Sequence, residues 1–98
     1  SQSLAYQSSI DELRSTIDRL DKEIFDLLAR RMEAADSIGR IKRDNNVMIL
    51  QSGRWSDVVE RMQARATALG LSHEFVNTVL EAIHIESITH QNRIMREE

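Results

Sequence analysis

The sequence predicts an all-α protein whose helices run in the order long, short, long. Proline is absent and glycine occurs only three times in 98 residues, and apolar residues recur at spacings of three and four along nearly the whole chain. A chain of this length forms one small domain, which buries only a modest part of its surface when it folds alone. We therefore expect a second chain to complete the core.

The first predicted helix begins at Ser9, because Ser9 and Glu12 have the spacing of a capping box. Nothing in the sequence stops this helix before the polar run Arg43–Asn46. Residues 1–7 have no helical period, so we interpret them as a linker or an expression remnant and residues 8–98 as the domain. The predicted apolar stripe of the helix consists of Ile10, Leu13, Ile17, Leu20, Ile24, Leu28, Ala35 and Ile38.

The length of the first helix predicts a homodimer. About 35 residues at about 1.5 Å each make a rod of roughly 50 Å, whereas a compact chain of this size has a radius of gyration of only about 13 Å. Such a rod needs a second chain to cover its apolar stripe. Gly39, inside the helix, costs about 1 kcal/mol relative to alanine, so we expect another backbone to approach closely there.

Two further helices follow a loop. Residues 45–53 form this loop, whose apolar stretch Val47–Leu50 is also compatible with a short strand. The second helix is predicted from Ser52 to Leu69. Gly70 then suits a helix C-cap and Ser72 the N-cap of a third helix that ends near Arg96. The predicted inner face of the third helix carries Val76, Leu80, Ile83 and Ile94.

Composition excludes several classes of function. The net charge is only −3, with 13 basic and 16 acidic residues interspersed, so we expect neither a nucleic-acid partner nor an anionic membrane surface. The absence of cysteine removes disulfides, thiolate metal sites and thiol nucleophiles. There is no run of 18 apolar residues and no signal-peptide pattern, and we expect a soluble, cytoplasmic protein. His73, His84 and His90 lack metal-ligand spacing, so no metal is expected.

Four polar residues interrupt the apolar faces of the two long helices. Arg31 points within about 20° of Ile24 and Ile38, and Lys42 within about 20° of Ala35 and of Arg31. Ser87 and Gln91 lie one turn apart on the core face of the third helix. Polar residues at such positions often only fix register or oligomeric state. Four hydrogen-bond donors together instead favour a ligand rich in carboxylates.

Arg14 extends this set across a dimer. It precedes Arg31 by 17 residues, or about 25 Å along the helix, so one small ligand cannot contact both within one chain. An antiparallel two-fold axis would bring Arg14 of one protomer near Arg31 of the other and create two equivalent sites. The alternative is a solvated arginine paired with Asp11 or Asp18. Trp55 and the other aromatic residues are expected to pack in the core or on the surface.

One combined motif extends along nearly the whole chain. It consists of Leu13-Arg14-x-x-Ile17-x-x-Leu20-Asp21-x-x-Ile24-x-x-Leu27-Leu28-x-Arg30-Arg31, Ile38-Gly39-x-x-Lys42, Arg54, Glu86-Ser87 and Gln91. With this motif the chain resembles the all-helical (AroQ-type) chorismate mutases from about residue 8 to 96. The resemblance implies an intertwined dimer of three-helix chains that converts chorismate to prephenate in aromatic amino-acid biosynthesis without a cofactor.

The resemblance also implies a role for each matched residue. Arg14 would reach a substrate carboxylate from the partner chain, and Arg31 would bind a carboxylate from its own chain. Lys42 and Gln91 would donate hydrogen bonds to the ether oxygen of the breaking bond. The remaining substrate-binding residues would be Arg54, Ser87, Gln51 through its backbone, and Trp55.

Two positions depart from the family pattern. Gln51 stands where many members have Asp, and Trp55 stands where a Glu commonly contacts the ring hydroxyl. The related isochorismate-pyruvate lyases also lack that Glu, so lyase activity is the enzymatic alternative, and a non-catalytic helical dimerisation or regulatory module is the third. The resemblance further implies a fused aromatic-pathway enzyme, such as heptulosonate-phosphate synthase, against which Trp55 would pack.

Overall fold

The computed structural model describes residues 3–97 and contains three helices, α1 (Leu4–Asp44), α2 (Ser52–Leu69) and α3 (His73–Arg96). No strand occurs within this range, including the apolar stretch Val47–Leu50. The all-α prediction and the order long, short, long are therefore confirmed. None of the three helices, as far as they are described, is both long and apolar enough to cross a membrane. The chain divides into two units, Ser1–Arg31 and Met32–Glu98.

Helix α1 begins at Leu4, so the predicted start at Ser9 was wrong. Ser3 caps the helix, since its hydroxyl oxygen accepts a hydrogen bond of 3.1 Å from the Tyr6 N–H. One turn on, the side chain of Gln7 donates to the Asp11 carboxylate at 3.0 Å, a contact that supports the polar first turns. Ser1 and Gln2 of the predicted linker lie outside the described residues, and the domain boundary at residue 8 stays a prediction.

Helix α1 ends where the polar run predicts, in a Schellman motif. Asn46 adopts a φ of 56°, in the left-handed region that asparagine tolerates better than most residues. The Val47 N–H donates to the carbonyl of Lys42 at 2.8 Å, and the Asn46 N–H donates to that of Arg43 at 3.2 Å. These two bonds satisfy carbonyls at the end of α1 and turn the chain toward α2.

Both predicted caps between α2 and α3 are present. Gly70 has a φ of 74°, and the N–H groups of Gly70 and Leu71 donate to the carbonyls of Thr67 and Ala66 at the end of α2. Two residues later, the Ser72 hydroxyl accepts a hydrogen bond of 3.2 Å from the Phe75 N–H. The turn is therefore short, and it packs α2 and α3 against each other.

The core of the second unit forms between these helices. Val58 and Ala66 of α2 pack with Val76 and Leu80 of α3, and Trp55 packs against their edge. As predicted, Val76, Leu80 and Ile94 are buried on α3, whereas Ile83 is half-buried. The predicted close approach at Gly39 is also confirmed, because a Cβ built there would lie 3.3 Å from the Gln91 Cα and from the Ile94 Cβ.

The first unit carries the N-terminal part of α1, with most of its apolar stripe exposed. Ile10 and Leu28 are half-buried, but the remaining stripe residues and their neighbours have exposed fractions between 44% and 71%. These exposed residues are Leu13, Ile17, Leu20, Ile24, Phe25 and Leu27. Within residues 3–31, no other part of the unit covers these side chains.

Candidate active site

Lys42 lies in the last turn of α1 and reaches the segment that leads to α2. Its Nζ donates a hydrogen bond of 2.9 Å to the carbonyl oxygen of Ile49, and its side chain is half-buried. A positive charge is thus held at the end of α1 by an uncharged backbone acceptor.

Ser87 and Gln91 form a buried polar pair on α3, as predicted. Their exposed fractions are 9% and 7%, and Gln91 Nε2 donates to Ser87 Oγ at 3.1 Å. The other end of the amide, Gln91 Oε1, is buried without a hydrogen-bond partner among residues 3–97. A buried carbonyl oxygen left without a partner is costly, so this amide is held in a site that a ligand can complete.

The helix segments that carry Lys42 and Gln91 are tied to each other at three points. The close approach at Gly39 brings the two backbones together beside Gln91. Asp36 Oδ1 lies 2.9 Å from His90 Nδ1, and Arg43 Nη1 donates to the carbonyl oxygen of Ile94 at 3.3 Å. The relative position of the lysine and the glutamine is therefore set by backbone contact and by polar contacts on either side.

His90 belongs to these ties and not to a metal site. Its Nε2 lies 3.1 Å from Oε2 of Glu86, one turn earlier on α3. Its Nδ1 also lies 3.3 Å from Arg93 Nη2. Both ring nitrogens thus face carboxylates. Within residues 3–97, no group of three His, Cys, Asp or Glu side chains is arranged to hold a metal ion.

Gln51 and Arg54 lie at the start of α2. Gln51 is the N-cap residue, with φ −128° and ψ 95°, and makes no side-chain cap. Its carbonyl oxygen instead accepts from the N–H groups of Arg54 and Trp55, at 3.1 and 3.3 Å. The side chains of Gln51 and Arg54 are both exposed. The guanidinium of Arg54 is therefore accessible to an anionic ligand.

Trp55 stacks on His84, a contact that we did not predict. The two ring centroids are 4.0 Å apart and the ring planes are inclined by 14°. The expectation that Trp55 packs against the core is confirmed, but its second partner is this imidazole. His84 precedes Ser87 by three residues and Gln91 by seven, so it lies on the same face of α3 as these two polar residues. That position is the feature of the sequence from which the role of His84 could have been predicted.

Arg14 and Arg31 lie in the first unit, on the N-terminal part of α1. Arg14 is exposed and Arg31 is half-buried. Their predicted roles toward substrate carboxylates concern a site that includes residues of the second unit and of a partner chain, and these roles stay predictions.

Comparison with known proteins identifies the family. The profile described as chorismate mutase type II matches residues 13–92, which is most of the chain. The chain belongs to the chorismate mutase type II family. The matched range contains every residue of the candidate site, from Arg14 to Gln91.

Curated relatives of this chorismate mutase family chain differ in length. The T-protein of Haemophilus influenzae is 27% identical over 90 residues, which cover 92% of this chain but 24% of that protein. The 4-amino-4-deoxychorismate mutase of Streptomyces venezuelae is 29% identical over 92 residues, covering 94% of this chain and 89% of that protein.

A third relative, the intracellular chorismate mutase of Mycobacterium tuberculosis, is 42% identical over 52 residues, covering 53% of this chain and 50% of that protein. The chain therefore spans about a quarter of the T-protein and most of the 4-amino-4-deoxychorismate mutase of Streptomyces venezuelae. No solved structure matches the chain at a significant level.

Proposed function

We propose that this chain is a chorismate mutase that isomerises chorismate to prephenate in the biosynthesis of phenylalanine and tyrosine. The observation that carries the proposal is the presence of a half-buried lysine and a buried glutamine, Lys42 and Gln91, on two helices in backbone contact. Both are hydrogen-bond donors. They belong to a chain of the chorismate mutase type II family.

The reaction suits a site that has donors but no base or nucleophile. Chorismate rearranges within one molecule, so neither proton transfer nor a cofactor is required. The site must hold the enolpyruvyl arm over the ring and stabilise the negative charge that grows on the ether oxygen in the transition state. The Lys42 ammonium supplies a positive charge, and the second N–H of the Gln91 amide, which Ser87 does not use, supplies a hydrogen bond.

Arginines would hold the two carboxylates of the substrate. The planar guanidinium group matches a carboxylate with two parallel hydrogen bonds, which fixes orientation as well as charge. Arg31 serves one carboxylate from its own chain, and Arg14 of a second protomer serves the other. Arg54, exposed in the first turn of α2, and the backbone of Gln51 complete the cradle.

The active unit in this proposal is an intertwined homodimer. The exposed apolar residues of α1 follow one another at spacings of four, three, four and three, from Leu13 to Leu27. This is the pattern of a coiled-coil seam, and a second copy of α1 is the partner that such a seam fits. Arg31 continues the series four residues after Leu27, and Arg14 flanks its first member. The seam therefore carries the two carboxylate-binding arginines toward a partner chain.

The chain is proposed to act as one domain of a larger cytoplasmic protein. The T-protein relative is about four times as long as the matched segment, which supports a further domain, and the fused enzyme that we propose for it is one of the aromatic pathway, such as heptulosonate-phosphate synthase. The name of the Mycobacterium relative, an intracellular chorismate mutase, supports the compartment.

Isochorismate-pyruvate lyase activity is the second candidate. It is favoured by Trp55, which stacks on His84 and stands where the resemblance to the mutases implies a glutamate. A single assay separates the two. The purified protein is incubated with chorismate and, separately, with isochorismate, and the products are identified. Prephenate formed from chorismate supports the mutase, and pyruvate formed from isochorismate supports the lyase. A folded dimer that converts neither substrate contradicts both assignments.

A further inference from the structure

Trp55 and His84 form a rigid two-ring unit. Their rings are nearly parallel, with centroids 4.0 Å apart. Trp55 also packs against the core cluster of Val58, Ala66, Val76 and Leu80, so the indole is held by the core while one of its faces holds the imidazole. Both side chains are half-buried, which leaves part of each ring accessible from outside the core.

This unit lies beside the polar pair of α3. At about 100° per residue, His84 points within about 20° of Gln91 and about 60° of Ser87. The Gln91 side chain leans back by one turn, as its bond to Ser87 demonstrates. Measured along the axis of α3, the amide therefore lies about one helical turn, roughly 5 Å, from His84. A group next to the atom that Gln91 contacts would meet the two rings.

The two rings still have polar atoms to offer. Within residues 3–97, neither ring nitrogen of His84 nor the indole nitrogen of Trp55 makes a hydrogen bond. A neutral imidazole offers one donor and one acceptor, and an indole offers one donor. The unit can therefore bond a neutral hydroxyl, but it brings no negative charge with which to pair a cation.

We propose that the Trp55 and His84 pair determines which group the site accepts on the substrate ring, favouring a neutral hydroxyl over an ammonium group. The inference rests on the proposed mutase function. In that function the arginines take the carboxylates, and Lys42 and Gln91 take the ether oxygen, so the ring hydroxyl is the polar group of chorismate that remains. It sits on the carbon next to the ether, and the polar atoms of the two rings are available to bond it.

Charge is the reason for the preference. Moving an ammonium group out of water without a negative partner costs far more than moving a hydroxyl, which the rings can bond. An aromatic face attracts cations, but the imidazole already covers one face of the indole. A carboxylate in place of either ring would shift the balance toward the ammonium by pairing with it.

The test compares kcat and KM for chorismate and for 4-amino-4-deoxychorismate, which carries an amine where chorismate carries the ring hydroxyl. The wild-type protein is expected to favour chorismate in kcat/KM by about tenfold or more. Trp55→Glu should shift this ratio toward the amine by at least about tenfold, mainly through KM for the amine. His84→Glu should shift it in the same direction, which covers the case in which one variant does not fold.

Two control variants separate charge from packing. Trp55→Phe keeps an aromatic ring against His84 and adds no charge, so the ratio should stay within about threefold of wild type. Phe75→Glu adds the same charge at an exposed aromatic residue of α3 and should leave the ratio unchanged.

A wild-type preference for the amine, or a ratio in folded Trp55→Glu and His84→Glu that stays within about twofold of wild type, overturns the inference. Wild-type protein that converts neither compound overturns the mutase proposal itself, and the inference with it.

Discussion

The Nζ of Lys42 donates a hydrogen bond to the carbonyl oxygen of Ile49, which joins the end of α1 to the segment that leads into α2. Within residues 3–97, no carboxylate lies within ion-pair distance of this lysine. The lysine is therefore positioned by a neutral group, and its positive charge remains available to an anionic transition state.

Replacing this lysine should remove activity without unfolding the protein. We expect Lys42→Ala to lower kcat for chorismate by at least about 100-fold, because one donor at a site of developing charge is commonly worth that much. Chorismate consumption measures the loss, and circular dichroism measures the helix content, which should be retained. Lys22→Ala, at an exposed lysine of the same helix paired only with Asp26, is the matched control. A Lys42→Ala protein as active as wild type would rule out the proposed role.

Removing the Gln91 amide should separate stability from activity. Gln91→Leu eliminates a buried oxygen that has no partner, so the free energy of unfolding should be unchanged or higher, by up to about 1 kcal/mol. Turnover should fall by about 100-fold, since a donor to the ether oxygen is lost. Urea unfolding and steady-state kinetics on the same preparation provide both values. A variant that loses stability and keeps full turnover would contradict the assignment on both counts.

A methyl group at Gly39 should push the two long helices apart. The new Cβ would lie 3.3 Å from the backbone Cα of Gln91, which cannot move aside as a flexible side chain can. Overpacking costs about 1–3 kcal/mol, against about 1 kcal/mol gained from better helix propensity. We therefore expect Gly39→Ala to lower the free energy of unfolding by about 1 kcal/mol.

Gly53→Ala is the matched control for this substitution, because nothing lies within 4 Å of a Cβ at Gly53. It should raise the free energy of unfolding by about 0.4–1 kcal/mol. Both variants should be compared in urea at one protein concentration, since stability of a dimer depends on concentration. Equal changes in the free energy of unfolding for the two variants would mean that α3 does not limit the size of the side chain at position 39.

A charge on the exposed seam of α1 should dissociate the proposed homodimer. Leu27→Glu replaces one apolar contact in each chain, worth roughly 1.5–3 kcal/mol apiece, so the dissociation constant should rise by at least about 100-fold. Ile85→Glu is the matched control, because both side chains are 59% exposed in the single chain and Ile85 belongs to α3 and not to the seam. Sedimentation equilibrium measures the mass. A wild-type protein that is monomeric at micromolar concentration would refute the seam as an interface.

Local signals in the sequence predicted most of the fold. Ser72, Gly70 and the polar run at the end of α1 act over a few residues, and the structure has each cap where the pattern indicates. The start of α1 was predicted wrongly because Ser3 and Ser9 are both acceptable N-caps. In the structure Ser3 makes the cap bond to Tyr6, and the capping-box spacing of Ser9 and Glu12 gave no indication of the turns before it.

The candidate site was predictable only where polarity conflicted with position. Ser87 and Gln91 stood out because they interrupt an apolar face, and both are buried. His84 lies on the same face but was not selected, because its partner Trp55 is 29 residues away (84 − 55) and no local spacing connects them. Contacts between different helices depend on tertiary packing, which periodicity within one helix does not specify.

The bond from Gln91 Nε2 to Ser87 Oγ also fixes where the amide lies along α3. An amide has two ends, one that donates and one that accepts, and a hydroxyl can bond either of them. Without the hydroxyl at position 87, the long glutamine side chain would sample more rotamers, and its amide would spend less time in any one of them. A serine that never bonds the reacting atom would thus decide how often the empty protein is ready to react.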